Sequence, residues 1–118
     1  MLNIEVVIEN CGGDPAIMLE LAVMFLEESA RQLSAIEQAM SVGKSEEMQS
    51  AAHRLRGGLA IFAADSALQA AAAVEMIGSS KRMENAPASV ARLKVELAQI
   101  ANDVRDLIAR ETSSCSIH

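Results

Sequence analysis

The run Val90-Ala91-Arg92-Leu93-Lys94-Val95-Glu96-Leu97-Ala98-Gln99-Ile100-Ala101-Asn102-Asp103-Val104-Arg105-Asp106-Leu107-Ile108 settles the architecture of this chain. Val90, Leu93, Leu97, Ile100, Val104, Leu107 and Ile108 recur at steps of three and four residues. That spacing puts them on one stripe of a long helix and reads as the seam of a helical bundle. Asn85 caps this helix in the sequence reading, and Pro87 falls in its first turn, where the missing N–H costs nothing.

Working outward, four more helical segments precede it. A short one spans roughly residues 2–9, with Ile4, Val7 and Ile8 on its apolar side. Asn10 to Gly13 breaks the chain. Asp14 then caps a second helix with Pro15 at its first position, and that helix runs to about Met40, stopped by Gly43. Ser45 caps a third helix with Glu46 and Glu47 in its first turn, and this one ends near Ala64. Asp65 or Ser66 caps a fourth helix, which stops at Gly78, and residues 79–85 form a polar connection. No segment shows the sustained alternation of a strand. Four long helices with short connections predict an all-α, antiparallel four-helix bundle with a short N-terminal capping helix. Residues 1–111 are expected to form one domain and residues 112–118 a disordered polar tail.

Composition narrows the function. The 118 residues are 51% hydrophobic but only 2% aromatic, with seven methionines, so the core is aliphatic. No run of eighteen apolar residues exists, and the N-terminus lacks the basic-then-apolar pattern of a signal peptide. Cys11 and Cys115 make no disulfide framework, which points to a cytoplasmic, reducing location. A net charge of −6 argues against general nucleic-acid binding. The charge is uneven, however. Arg54 and Arg56 lie in a stretch with no carboxylate between Gln49 and Ala64, a positive spot that fits a small anionic target or simply solvates a helix face.

Between those arginines' neighbours lies His53-Arg54-Leu55-Arg56-Gly57-Gly58. On a helix over residues 46–64, Met48, Ala52, Leu55, Leu59 and Phe62 form the buried stripe. His53 falls roughly 150° from the centre of that stripe, at about 100° per residue. Arg56, Gly57, Ala60 and Ala64 share its side. Two adjacent glycines cost a helix roughly 1 kcal/mol each relative to alanine, so their missing side chains serve a purpose. Gly57 is one turn after His53 and leaves the imidazole accessible, with Gly58 widening the clearance. The second helix carries more apolar residues than one core face needs. Met18, Ala22, Phe25, Leu33, Ile36 and Met40 make that face, while Leu19, Val23 and Leu26 widen it. Ile17, Leu21 and Met24 lie on a further side. Either the N-terminal helix covers them through Ile4, Val7 and Ile8, or they form a partner-docking patch that Ala60 and Ile61 extend.

These residues resemble the signature of histidine-containing phosphotransfer (HPt) domains, His-x-hydrophobic-Lys-Gly followed by small residues and an aromatic or aliphatic one. Here the run reads from His53 through Phe62 to Ala63, with Ala51-Ala52 before it. Gly12-Gly13-Asp14-Pro15 and the apolar run to Phe25-Leu26-Glu27-Glu28 look like the family's first long helix, and Leu68 to Glu75 is also similar, so the likeness covers about residues 10–80. Arg56 stands where the family usually has Lys, which keeps the charge, and Ala63 stands where a glycine is often found, a change expected to bear on packing.

The resemblance implies a phosphorelay intermediate of two-component signal transduction. His53 would accept a phosphoryl group from an aspartyl phosphate on one receiver domain and pass it to another, with Arg56 and Arg54 stabilising the phosphoryl oxygens. Its partners would be the receiver domains of response regulators and hybrid sensor histidine kinases. Magnesium would sit on the partner receiver, and the chain itself would need no cofactor. An imidazole of ordinary proton affinity is mostly neutral at pH 7 and suits such a role. The chain supplies a nucleophile without turning over a substrate alone, so it is not expected to be an enzyme, and it has no ATP-binding motif. The expected state is a monomer, away from membranes and nucleic acid. The alternative is a helical-bundle protein-binding module that regulates a partner without phosphotransfer. Met1 and the polar tail favour a free-standing chain over a piece of a larger kinase. Cys115 and His118 have metal-like spacing, but two ligands in a loose tail make a poor site, and no metal is expected.

Overall fold

A computed structural model describes residues 2–116 of the chain, with side chains described through residue 112. The elements are α1 (Ile4–Asn10), α2 (Pro15–Ser41), α3 (Ser45–Ile61), α4 (Asp65–Ser80), a single 3₁₀ turn (Met83–Asn85) and α5 (Ala86–Ser116). No strand occurs among the described residues. The long helices pack as a ring: α2 on α3, α3 on α4, α4 on α5, and α5 back on α2. Connections of only a few residues leave each helix antiparallel to the next. This is the expected four-helix bundle.

The α5 seam behaves as its spacing requires. Val90, Leu93, Leu97, Ile100, Val104 and Leu107 are buried, and Ile108 is half-buried. On α3, Met48, Ala52, Leu55, Leu59 and Phe62 are all buried. Phe25 and Phe62, the only aromatic side chains of the chain, meet with ring centroids 5.0 Å apart at 51°. Such a tilted pair adds about 0.5–1.5 kcal/mol to the burial of its area. It ties α2 to the end of α3.

The α2 core face differs from the reading in its middle. Ser29, Gln32 and Ala39 are buried there, whereas Leu33 and Met40 are only partly buried. Gln32 is satisfied through its Nε2, which donates to Glu28 Oε1 at 2.6 Å, and the Ser29 hydroxyl donates to the Leu26 carbonyl at 3.4 Å. Val23 is exposed and so does not widen the core face.

Several helix ends also differ. Lys44, not Ser45, is the N-cap of α3, and Ala64, not Asp65 or Ser66, is that of α4; neither supplies a side-chain cap. In each case the polar residue is the first helical one, where Asp65, like Glu46 and Glu47, still meets the positive helix end. The third helix stops at Ile61 rather than near Ala64. Ala63 turns the chain at φ 52°, and Ala64 is thereby buried instead of sharing the histidine's side. Ala63 itself is exposed, so its importance is backbone conformation rather than packing: a left-handed φ is where a glycine would serve. Gly43 at φ 73° does end α2 as read.

Gly78 does not stop α4. It is buried inside the helix, where a Cβ would lie 2.8 Å from both Gln49 Cβ and the Ser45 carbonyl oxygen. The missing side chain lets α4 approach α3 closely. Lys81 in the left-handed conformation closes α4 instead. At the other end, α5 continues as helix to Ser116, past the residue-112 boundary assigned to the tail. Residues 117 and 118, and the side chains from 113 onward, lie outside the described residues.

The short α1 is fixed at both ends. Asn3 accepts a hydrogen bond from the Val6 N–H, and Asn10 Nδ2 donates to the Ile61 carbonyl at 3.0 Å. Val7 is fully buried. α1 therefore packs at the end of the bundle where α3 terminates. No helix among the described residues is long and apolar enough to cross a membrane.

Candidate functional site

The stripe that buries Leu55 and Leu59 turns His53 outward from the middle of α3, and its side chain is 71% exposed. The ring is not loose. Its Nδ1 lies 2.9 Å from Glu75 Oε2, reached across the close α3–α4 contact. The other carboxylate oxygen of Glu75 accepts from Arg56 Nη1. Glu75 is 18% exposed, and the hydrogen bond from the Arg56 guanidinium, the largest influence, holds its carboxyl below the usual glutamate range; burial pushes upward against it, and the bond to His53 adds to the lowering.

An ionised carboxylate accepts hydrogen bonds and donates none. The proton of a neutral His53 ring therefore belongs on Nδ1, and the lone pair on Nε2. Nε2 makes no hydrogen bond among the described residues. A nucleophilic nitrogen is thus oriented by the neighbouring helix and presented to solvent.

Glycines on either side of this geometry divide their roles. Gly57 is exposed, and a Cβ there would have nothing within 4 Å, so its space is open. Gly58 is not a second clearance for the imidazole. A Cβ on it would lie 3.2 Å from Phe25 Cδ1, so its place is at the α2–α3 contact. The expected positive spot is also altered. Arg56 is committed to Glu75, and its Nε is buried without a hydrogen-bond partner. Arg54 has no ion-pair partner among the described residues and supplies the free positive charge. The cause is simple: the carboxylate that neutralises Arg56 comes from α4, nineteen residues further along the chain.

Beside His53, α2 and α3 enclose a shallow groove of about 160 Å³ whose lining includes Leu21, Met24, Phe25, Arg54, Gly58 and Ile61. Ile17 and Met24 remain 43% and 60% exposed, so α1 does not cover this side of α2. Leu21 and Ile61 are partly buried against the core, and Ala60 is exposed one helical turn beyond Gly57. The docking residues read from the sequence thus cluster on the α2–α3 side, with Leu21, Met24 and Ile61 in the groove itself.

Glu75 is the residue that the sequence reading missed as part of the site. The signal was present: apart from Asp65 in the first turn, it is the only charged residue of α4. A lone carboxylate between Val74 and Met76 calls for a partner. No group of three or more metal-binding side chains occurs among the described residues. The Cys115–His118 pair lies outside them.

The structure is a four-helix bundle that holds an outward-facing imidazole against a carboxylate of the neighbouring helix. Comparison with known proteins gives the family. The family model of the Hpt domain matches residues 20–103, and the chain belongs to that family. Among solved structures, it is similar to histidine-containing phosphotransfer protein B (HptB) from Pseudomonas aeruginosa PAO1, with a TM-score of 0.85 at 18% identity, covering 92% of this chain and 95% of that one. It is also similar to the HPT domain of the Hpt sensor hybrid histidine kinase from Shewanella, with a TM-score of 0.80 at 17% identity, covering 92% and 94%. No curated protein sequence matches. The chain has a histidine phosphotransfer role in two-component phosphorelay signalling. Members of the family are phosphoryl carriers rather than catalysts, and their partners are receiver domains of kinases and response regulators.

Proposed function

We propose that His53 is the phosphoryl acceptor and that Nε2 is the atom that carries the group. An aspartyl phosphate on one receiver domain donates. The Nε2 lone pair forms the bond to phosphorus, and the P–O bond breaks with its electrons leaving on the aspartate. A second receiver then takes the group by the reverse process. The observation that carries this reading is an exposed His53 side chain whose Nδ1 is held 2.9 Å from Glu75 while Nε2 makes no hydrogen bond among the described residues.

Phosphoryl transfer needs in-line positioning and charge stabilisation more than covalent help. Gly57 leaves the in-line approach open. Arg54, which has no ion-pair partner among the described residues, and the exposed part of Arg56 offer positive charge to the phosphoryl oxygens. The receiver's own acidic site brings the magnesium ion, so this chain contributes no metal ligand. Its apolar contact is the groove at Leu21, Met24 and Ile61, flanked by Ile17 and Ala60. The chain acts as a cytoplasmic monomer that supplies the nucleophile and turns over nothing alone.

The test is incubation with phosphorylated receivers, followed by assay for base-stable, acid-labile phosphate on the wild type and on His53→Gln. Label on the wild type alone is expected. Equal labelling of the two proteins would remove His53 from the mechanism.

A further inference from the structure

When a neutral imidazole attacks through Nε2, the proton on Nδ1 stays in place. The new N–P bond uses the Nε2 lone pair, so the ring becomes positively charged. Onward transfer reverses this: the N–P bond breaks and its electron pair returns to Nε2. If Nδ1 still carries its proton, the departing group is a neutral imidazole. If that proton has been lost to water, the departing group is an imidazolide anion, a far poorer leaving group. A carrier that must release its phosphoryl group therefore needs Nδ1 to remain protonated after it has been loaded.

The residues around His53 are arranged for that requirement. Nδ1 faces Glu75 Oε2 at 2.9 Å, and Arg56 fixes the other carboxylate oxygen. We propose that Glu75 holds the proton on Nδ1 of phosphorylated His53 and so keeps the bound phosphoryl group transferable. Glu75 is a positioning residue in this scheme, since it acts through the ring and not on the phosphorus. The inference rests on His53 being the acceptor.

The charged surroundings give the role to Glu75. From α3 itself, Arg54 and Arg56 are both cationic and would favour loss of the ring proton. From α2, Glu28 lines the groove beside Arg54 but is engaged by Arg31 at 2.8 Å and by Gln32 at 2.6 Å. Glu46 and Glu47 line the opposite side of Arg54, toward the start of α3. From α4, Glu75 alone is in hydrogen-bond contact with the ring. Its carboxyl is held below the ordinary range, chiefly by Arg56, so it is ionised wherever the ring proton is at stake.

The test uses the full chain with isotope-labelled histidine, phosphorylated by phosphoramidate, and follows ring protonation by NMR as pH is raised. Wild type is compared with Glu75→Gln, which retains an acceptor oxygen without the charge, and with Glu75→Ala. The phosphorylated His53 ring is expected to lose its Nδ1 proton about one pH unit higher in wild type than in either variant, the scale of a single opposite charge at contact distance. Transfer to a receiver should fall off with rising pH over the same shifted range. In the unphosphorylated protein, the Nδ1–H tautomer should predominate in wild type and Glu75→Gln and give way in Glu75→Ala. Should Glu75→Ala fail to fold, the near-isosteric Gln variant still decides. Coincident titrations of wild type and Glu75→Gln, both folded by circular dichroism, would overturn the proposal. Failure of wild type to take label from any phospho-receiver would instead remove the function reading, and the free-ring tautomer would still show whether Glu75 directs the proton.

Discussion

Replacing Gly57 by leucine separates the folding of α3 from access to His53. A Cβ at Gly57 has nothing within 4 Å, so the folded state accepts a side chain there without strain. Glycine is about 0.8–1.0 kcal/mol worse than alanine inside a helix, and leucine is close to alanine. Gly57→Leu should therefore be more stable than wild type by about half to one kcal/mol. For a domain of this size, that raises the melting temperature by roughly 2–5 °C. The same argument fails at Gly78, which makes it the control. There an added Cβ would sit 2.8 Å from the Ser45 carbonyl oxygen and Gln49 Cβ. Overpacking costs about 1–3 kcal/mol, which outweighs the helix gain, so Gly78→Ala should melt lower. Function should move the other way. Residues one turn apart place their Cβ atoms about 5–6 Å from each other, within reach of a leucine side chain. The new side chain at position 57 then obstructs the approach to Nε2, and transfer should slow at least tenfold, about 1.4 kcal/mol of barrier. Thermal melts and single-turnover transfer from one phospho-receiver check both halves. A stable Gly57→Leu protein that transfers at full speed would refute the access argument.

Three other outcomes follow from particular residues. Ala63→Gly should stabilise the chain by up to about 1 kcal/mol in urea unfolding, because the left-handed φ of 52° costs alanine more than the added chain entropy costs glycine. Glu75 has a lowered folded pKa, so its contribution to stability is full above the ordinary glutamate range and is lost as pH falls through the depressed value. Unfolding curves should accordingly show wild type more stable than Glu75→Gln at neutral pH, with the gap closing in acid below about pH 4. Met24→Asp should weaken binding of a receiver, measured by calorimetry, while changing stability by no more than about 0.5 kcal/mol, because the side chain is 60% exposed at the groove.

The bundle was legible because burial imposes a period. Every apolar residue of the Val90 to Leu107 seam is buried, and the Met48 to Phe62 stripe places His53 on the outer side, as spacing alone requires. Helix ends were less legible. Ser45 and Asp65 have the chemistry of caps yet sit one residue inside, since the chain turns at Lys44 and Ala64 instead. Gly78 reads locally as a stop, and only the neighbouring helix shows why no side chain fits. Half of the site was hidden for the same reason. The imidazole and its open flank at Gly57 belong to one helix and follow from its periodicity. The carboxylate that orients the ring and neutralises Arg56 arrives from α4, and its register against α3 depends on how closely an alanine-rich surface packs. Ser29 and Gln32 escaped for a related reason: local hydrogen bonds let polar residues occupy core positions that hydrophobicity alone would not assign to them.

The central claim is that one atom, Nε2 of His53, carries the phosphoryl group. The 118-residue chain, phosphorylated by a phospho-receiver, can be analysed by phosphohistidine-preserving mass spectrometry for the residue and by NMR for the ring nitrogen. The account predicts a single modified residue, His53, substituted on Nε2, with Nδ1 still facing Glu75. Phosphate on His118, or on Nδ1 of His53, would contradict it.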